Sequence, residues 1–169
     1  APLRAVASLA TWIEEDLGDG RSPQVTEHLR MSGIYWGFTA MHLLGAPEQM
    51  GGAGGAEVAD WVMRCYHPGC GGFGGNVGHD PHLLYTLNAV YLLALCGALG
   101  RVDRATVAGY VASLQQADGS FTGDEWGEVD TRFSYCALAA LSVLGYRCCG
   151  DGGAGNYGPD GTGPYAPPP

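Results

Sequence analysis

The sequence predicts an all-α protein of repeated helical hairpins, and three observations predict it. Three segments share one pattern: residues 32–45, 82–97 and 132–145 are apolar and rich in small residues, and Tyr35, Tyr85 and Tyr135 fall 50 residues apart in them. Each segment stops at a glycine (Gly45, Gly97, Gly145), the residue expected just past a helix end. Weaker, amphipathic stretches lie between them, each joined to the following apolar segment through a glycine-bearing turn. A periodic repeat of this length points to stacked supersecondary units that bury a shared core.

Taken along the chain, residues 3–17 predict a first amphipathic helix ending in Glu14-Glu15-Asp16. The patch from Met50 to Ala56 is a glycine-rich connection. Val58, Trp61, Val62 and Cys65 then recur at helical spacing over 57–66, as do Val107, Tyr110, Val111 and Leu114 over 103–115, with Asp103 as N-cap. The turns 69–75 and 118–123 precede inner helices. Their glycines permit positive φ and close approach, while Phe73 or Phe121 docks as an apolar plug. His79-Asp80-Pro81 reads as a helix start, with Asp80 as N-cap and Pro81 at the first helical position. Apolar on nearly every side, the three inner helices must be covered all round, as they would be in the wall of a helical ring. After Gly145 the period is lost. Residues 1–146 are therefore expected to form the helical domain and 147–169, dominated by glycine and proline, a disordered tail.

Composition narrows the function classes. A net charge of −9 argues against a nucleic-acid partner, which would require basic patches. Apolar runs such as Ala89 to Ala98 fall short of the roughly 20 residues that span a bilayer, and no signal peptide opens the chain. A soluble, cytoplasmic protein is expected. The six cysteines read as reduced, buried thiols. Cys65-x-His67-x-x-Cys70 has no second ligand pair, whereas a closed structural zinc site needs four ligands.

Three stretches carry a family resemblance: Leu29-Arg-Met-Ser-Gly-Ile-Tyr-Trp-Gly37, Gly78-His-Asp-Pro-His-Leu-Leu-Tyr-Thr-Leu87, and residues 114–137, from Leu114-Gln-Gln-Ala-Asp-Gly-Ser-Phe to Thr131-Arg-Phe-Ser-Tyr-Cys-Ala137. They resemble the β subunit of Rab geranylgeranyltransferase, and Gln115 to Trp126 resembles the Gln-to-Trp repeat of the wider terpenoid-cyclase and prenyltransferase superfamily. The resemblance implies an α/α toroid of hairpins, of which this chain would supply about three of six. It implies an α subunit, Rab proteins with their escort protein and geranylgeranyl diphosphate as partners, and zinc as the family's cofactor. Carried over residue by residue, Ser32, Trp36, Tyr85, Leu87 and Tyr135 would line the lipid slot, with the small Ser32 leaving depth for a fourth isoprene unit. Arg132 is open between a pair with Asp130 or Glu128 and a contact to the diphosphate or the incoming peptide.

The family's zinc ligands are an aspartate, a cysteine two residues on and a later histidine. No Asp-x-Cys pair occurs in these 169 residues, so no catalytic residue and no bound zinc are expected of this chain. It reads as a truncated or diverged fragment, catalytically incomplete alone. A non-enzymatic helical scaffold is the alternative. A terpenoid-cyclase fragment is disfavoured because no Asp-x-Asp-Asp motif is present.

Overall fold

The computed structural model describes residues 27–45 and 55–146. Among these residues there are five α-helices: α1 (Arg30–Leu43), α2 (Ala56–Arg64), α3 (Leu83–Leu95), α4 (Arg104–Ser113) and α5 (Arg132–Leu144), with single 3-10 turns at Glu27–Leu29 and Leu99–Arg101. The expected helix over 3–17, most of the 50–56 connection and the tail from 147 lie outside the described residues.

α3 is the centre of the arrangement. It packs against α1 on one side and α5 on the other, while the outer helices α2 and α4 back α3 and α5 respectively. Two outer-inner hairpins are therefore described, α2–α3 and α4–α5, beside the inner helix α1. Eight of the thirteen residues of α3 are buried, including Leu83, Leu87, Val90, Leu92 and Leu93. They feed two core clusters. One joins Met31, Phe38, Val62, Phe73, Val90 and Val107, and the other Leu83, Val111, Phe121, Phe133 and Ala137. Truncating a fully buried leucine such as Leu93 to alanine is worth about 2–5 kcal/mol.

Local chemistry explains the helix boundaries. Gly45, Gly97 and Gly145 all take positive φ (71°, 65° and 95°), a left-handed conformation that glycine adopts without a Cβ penalty. Asp103 caps α4, its Oδ1 accepting from Ala105 N at 3.1 Å. The start of α3 departs from expectation. His82, in extended conformation, is the N-cap, and its Nδ1 accepts from Leu84 N at 3.1 Å. Pro81 pairs with Gly74, and His82 N donates to Phe73 O at 3.0 Å. These pairings hold Pro81 and His82 extended, so the helix begins two residues later than Asp80-Pro81 suggested.

The turns repeat in three dimensions. Isolated antiparallel bridges Tyr66–Phe73 and Gly74–Pro81 in the first recur as Gln115–Phe121 and Thr122–Val129 in the second, and none joins two helices. Phe73 and Phe121 are both buried plugs. Each turn is also stitched to the first turn of the preceding inner helix, where backbone donors have no intrahelical partner. Gly75 O accepts from Met31 N at 2.9 Å, and Gly123 O accepts from Leu83 N at 2.7 Å. The approach is close enough to require glycine. A Cβ on Gly75 would stand 2.1 Å from the His28 carbonyl oxygen.

One further expectation is corrected. Cys65 and Cys136 are buried, but Cys70 is exposed, because it sits at the tip of the first turn. Phe133 is buried against the ring of His82, with centroids 5.3 Å apart. No helix among the described residues is long and apolar enough to cross a membrane.

Candidate functional site

The inner helices present aromatic side chains. Tyr35 of α1 stacks on Tyr91 of α3 (centroids 5.4 Å apart, 17° between planes), and the Tyr91 hydroxyl lies 3.3 Å from that of Tyr135 on α5. One tyrosine from each inner helix thus forms a continuous ladder. Burial, followed by the contact with Tyr135, pushes the Tyr91 phenol well above its ordinary pKa. Burial likewise raises Tyr35. Both stay neutral, so the ladder offers hydroxyl dipoles and ring faces but no charge.

The expected lipid-slot residues divide. Trp36 and Tyr135 are each 64% exposed. Tyr85 is half-buried, packed on His82 with centroids 5.4 Å apart, and burial raises its phenol pKa. Ser32 and Leu87 are buried between helices, where Ser32 Oγ accepts from Asn88 Nδ2 at 2.8 Å and ties α1 to α3. Tyr91 and Asn88 escaped the sequence reading. The repeat drew attention to Tyr85, but six residues on, Tyr91 is rotated by about 240° and faces another neighbour. The visible signal was a lone asparagine within an apolar helix, which needs a partner when buried.

Arg132 is engaged by its neighbour. Nε donates to Asp130 Oδ1 at 2.9 Å and Nη2 to Oδ2 at 2.7 Å, a two-pronged fork. The side-chain hydrogen bond from Arg132, and then its backbone N–H, hold the Asp130 carboxyl down at about 2. Of the two open readings, the described structure has the intramolecular pair.

For zinc, Cys65, His67 and Cys70 do not converge. Burial pushes the Cys65 thiol up to about 11, with its sulfur directed at Trp61 O, and His67 Nε2 donates to His79 O at 2.8 Å. Among the described residues, one trio is close enough to consider: His82, Asp124 and Glu128, with ligand atoms within 4.8 Å of one another. Its donor set does not fit a metal. His82 Nδ1 accepts from the Leu84 amide, so the proton sits on Nε2 and is donated to Glu128 Oε2 at 2.9 Å. A metal at Nε2 would have to displace that proton while the other nitrogen stayed occupied. Asp124 Oδ1 already accepts from the amides of Trp126 and Glu128. The trio reads as a polar clasp between the start of α3 and the second turn.

With this geometry in place, the comparisons define the class: the chain belongs to the prenyltransferase α-α toroid domain family, whose model matches residues 9–154. More particular likenesses follow. The chain is 46% identical over 124 residues to the geranylgeranyl transferase type-2 subunit beta of Saccharomyces cerevisiae, covering 72% of this chain and 37% of that protein. It is 37% identical over 131 residues to the subunit of the same name from Candida albicans (71% of this chain, 38% of that one). It is 53% identical over 70 residues to subunit beta 1 of the Arabidopsis thaliana enzyme (41% and 21%). The chain spans less than two fifths of the length of each of these relatives.

Proposed function

We propose that this chain forms part of the β subunit of a type-2 protein geranylgeranyltransferase in the cytoplasm, acting with an α subunit, an escort protein and Rab substrates. The observation that carries the reading is the 46% identity over 124 residues to a subunit of that name. The proposed share of the work is to wall the isoprenoid slot. Trp36, Tyr85 and Tyr135 supply flat apolar faces, while Ser32 and Leu87 set the spacing of the helices behind them. In the family a bound zinc ion converts the acceptor thiol to a thiolate, and clustered cations take the charge of the leaving diphosphate. This sequence has no Asp-x-Cys pair, and the Arg132 fork is held by Asp130. On its own, then, the chain binds no stoichiometric zinc and transfers no prenyl group.

The test mixes the purified chain with α subunit, escort protein, a Rab protein and labelled geranylgeranyl diphosphate, with and without zinc, alongside elemental analysis. Transfer at blank level and sub-stoichiometric zinc are expected. Zinc-dependent transfer, or one tightly held zinc per chain, would overturn the reading. In the complete transferase, Tyr135→Ala should weaken capture of geranylgeranyl diphosphate.

A further inference from the structure

Tyr91, a residue outside the expected slot positions, sits at the middle of the tyrosine ladder. Five residues of α3 are not buried: Leu84, Tyr85, Tyr91, Ala94 and Leu95. At about 100° per residue, Tyr91 and Leu95 fall within about 20° of Leu84 around the helix. The three make an open stripe whose one polar group is the Tyr91 hydroxyl. Tyr35 from α1 and Tyr135 from α5 close on Tyr91 from the two flanks of α3.

The two contacts differ in kind. The Tyr91 ring lies on that of Tyr35, centroids 5.4 Å apart and planes 17° from parallel, which fixes its orientation. Its hydroxyl meets the Tyr135 hydroxyl at 3.3 Å, and either oxygen can donate. Hydroxyl pairs usually close to roughly 2.7–2.8 Å. This pair lies at the surface, with Tyr135 64% exposed, so water competes for both oxygens in the free chain. An isoprenoid laid over the rings changes that balance. Its hydrocarbon has no donor or acceptor, so it strips water from the hydroxyls and returns nothing. Each hydroxyl then depends on the other, in an apolar setting where the bond is stronger and an unpaired hydroxyl is costly. A lone tyrosine hydroxyl would be a defect in such a wall, whereas two that face each other satisfy one another.

We propose that Tyr91 is a positioning residue of the isoprenoid slot, pairing with the Tyr135 hydroxyl beneath the bound lipid and holding the Tyr135 ring in place as part of the wall. The inference rests on the lipid-slot reading of Tyr135 and adds to it a dependence on both hydroxyls together.

The test measures equilibrium binding of tritiated geranylgeranyl diphosphate to the full chain and to Tyr91→Phe, Tyr135→Phe, the double phenylalanine variant and Tyr135→Ala. Either single phenylalanine leaves one hydroxyl unpaired under the lipid and should weaken binding about fivefold to tenfold. The double variant leaves none and should bind within about twofold of wild type, a non-additivity that the double-mutant cycle isolates. Thermal midpoints of the lipid-free proteins should agree within a few degrees, because the stack on Tyr35 survives and water satisfies the remaining oxygen. A merely structural role would instead lower the midpoint of Tyr91→Phe and leave the double variant no better than the singles. Binding that Tyr135→Ala weakens but Tyr91→Phe does not, or additive losses in the cycle, would overturn the proposal and leave the slot reading standing. Absence of saturable binding, or binding indifferent to Tyr135→Ala, would overturn both.

Discussion

Replacing Trp36, Leu43 and Leu138 with serine, glutamine and glutamate should turn a self-associating chain into a better-behaved one at little cost to its fold. The three side chains are 64%, 84% and 47% exposed on the inner helices α1 and α5. Weighted by those fractions, they leave on the order of 300 Å² of apolar surface in water. At about 25 cal/mol per Å², roughly 7–8 kcal/mol is available to any contact that covers them. Exposed apolar surface of that extent, divided between the two helices, favours association that covers it. The wild-type chain should therefore bind 8-anilinonaphthalene-1-sulfonate and scatter light increasingly with concentration. In the triple variant both signals should fall several-fold. Because each side chain already faces water, each substitution should cost within about 0.5 kcal/mol, so the thermal midpoint should stay within a few degrees. A monodisperse, dye-dark wild-type chain, or a variant that binds dye and scatters as before, would refute the reasoning.

Gly75→Ala should cost about 2–4 kcal/mol, from overpacking against the His28 carbonyl and loss of the Met31 N to Gly75 O bond. Gly100→Ala, with open space around the added methyl, should stay within about 0.5 kcal/mol. Urea unfolding of the two variants side by side checks this, and equal losses would rule it out. Iodoacetamide at pH 8 should label the exposed Cys70 at least about tenfold faster than the buried Cys65, read by peptide mass spectrometry. The fold favours the protonated Cys65 thiol. Its contribution to stability should therefore be complete below the thiol's ordinary 9.0 and drain away as pH rises through about 11, a loss that Cys65→Ala should lack.

Much of the helical frame was legible from local chemistry. Gly45, Gly97 and Gly145 each end an inner helix at positive φ, and Asp103 caps α4, because these are properties of a residue and its next few neighbours. The plugs Phe73 and Phe121 were legible for a similar reason, since an aromatic alone among glycines has little else to do. The site was legible only in part. Trp36 and Tyr135 face outward, but the tyrosine ladder runs through Tyr91 rather than the repeat's Tyr85, and which face of α3 meets α1 and α5 depends on how three helices pack. By itself, then, the sequence determined the repeat, the helix ends, the acidic charge and the lack of an Asp-x-Cys pair. Tertiary structure alone decided that His82 caps α3 and clasps Glu128 46 residues away, that Asn88 secures Ser32 across 56 residues, and that the Tyr110 hydroxyl is enclosed with no hydrogen-bond partner among the described residues. The physical reason is range: caps and turns are decided within a few residues of backbone, whereas a buried polar group finds its partner only after distant segments have packed.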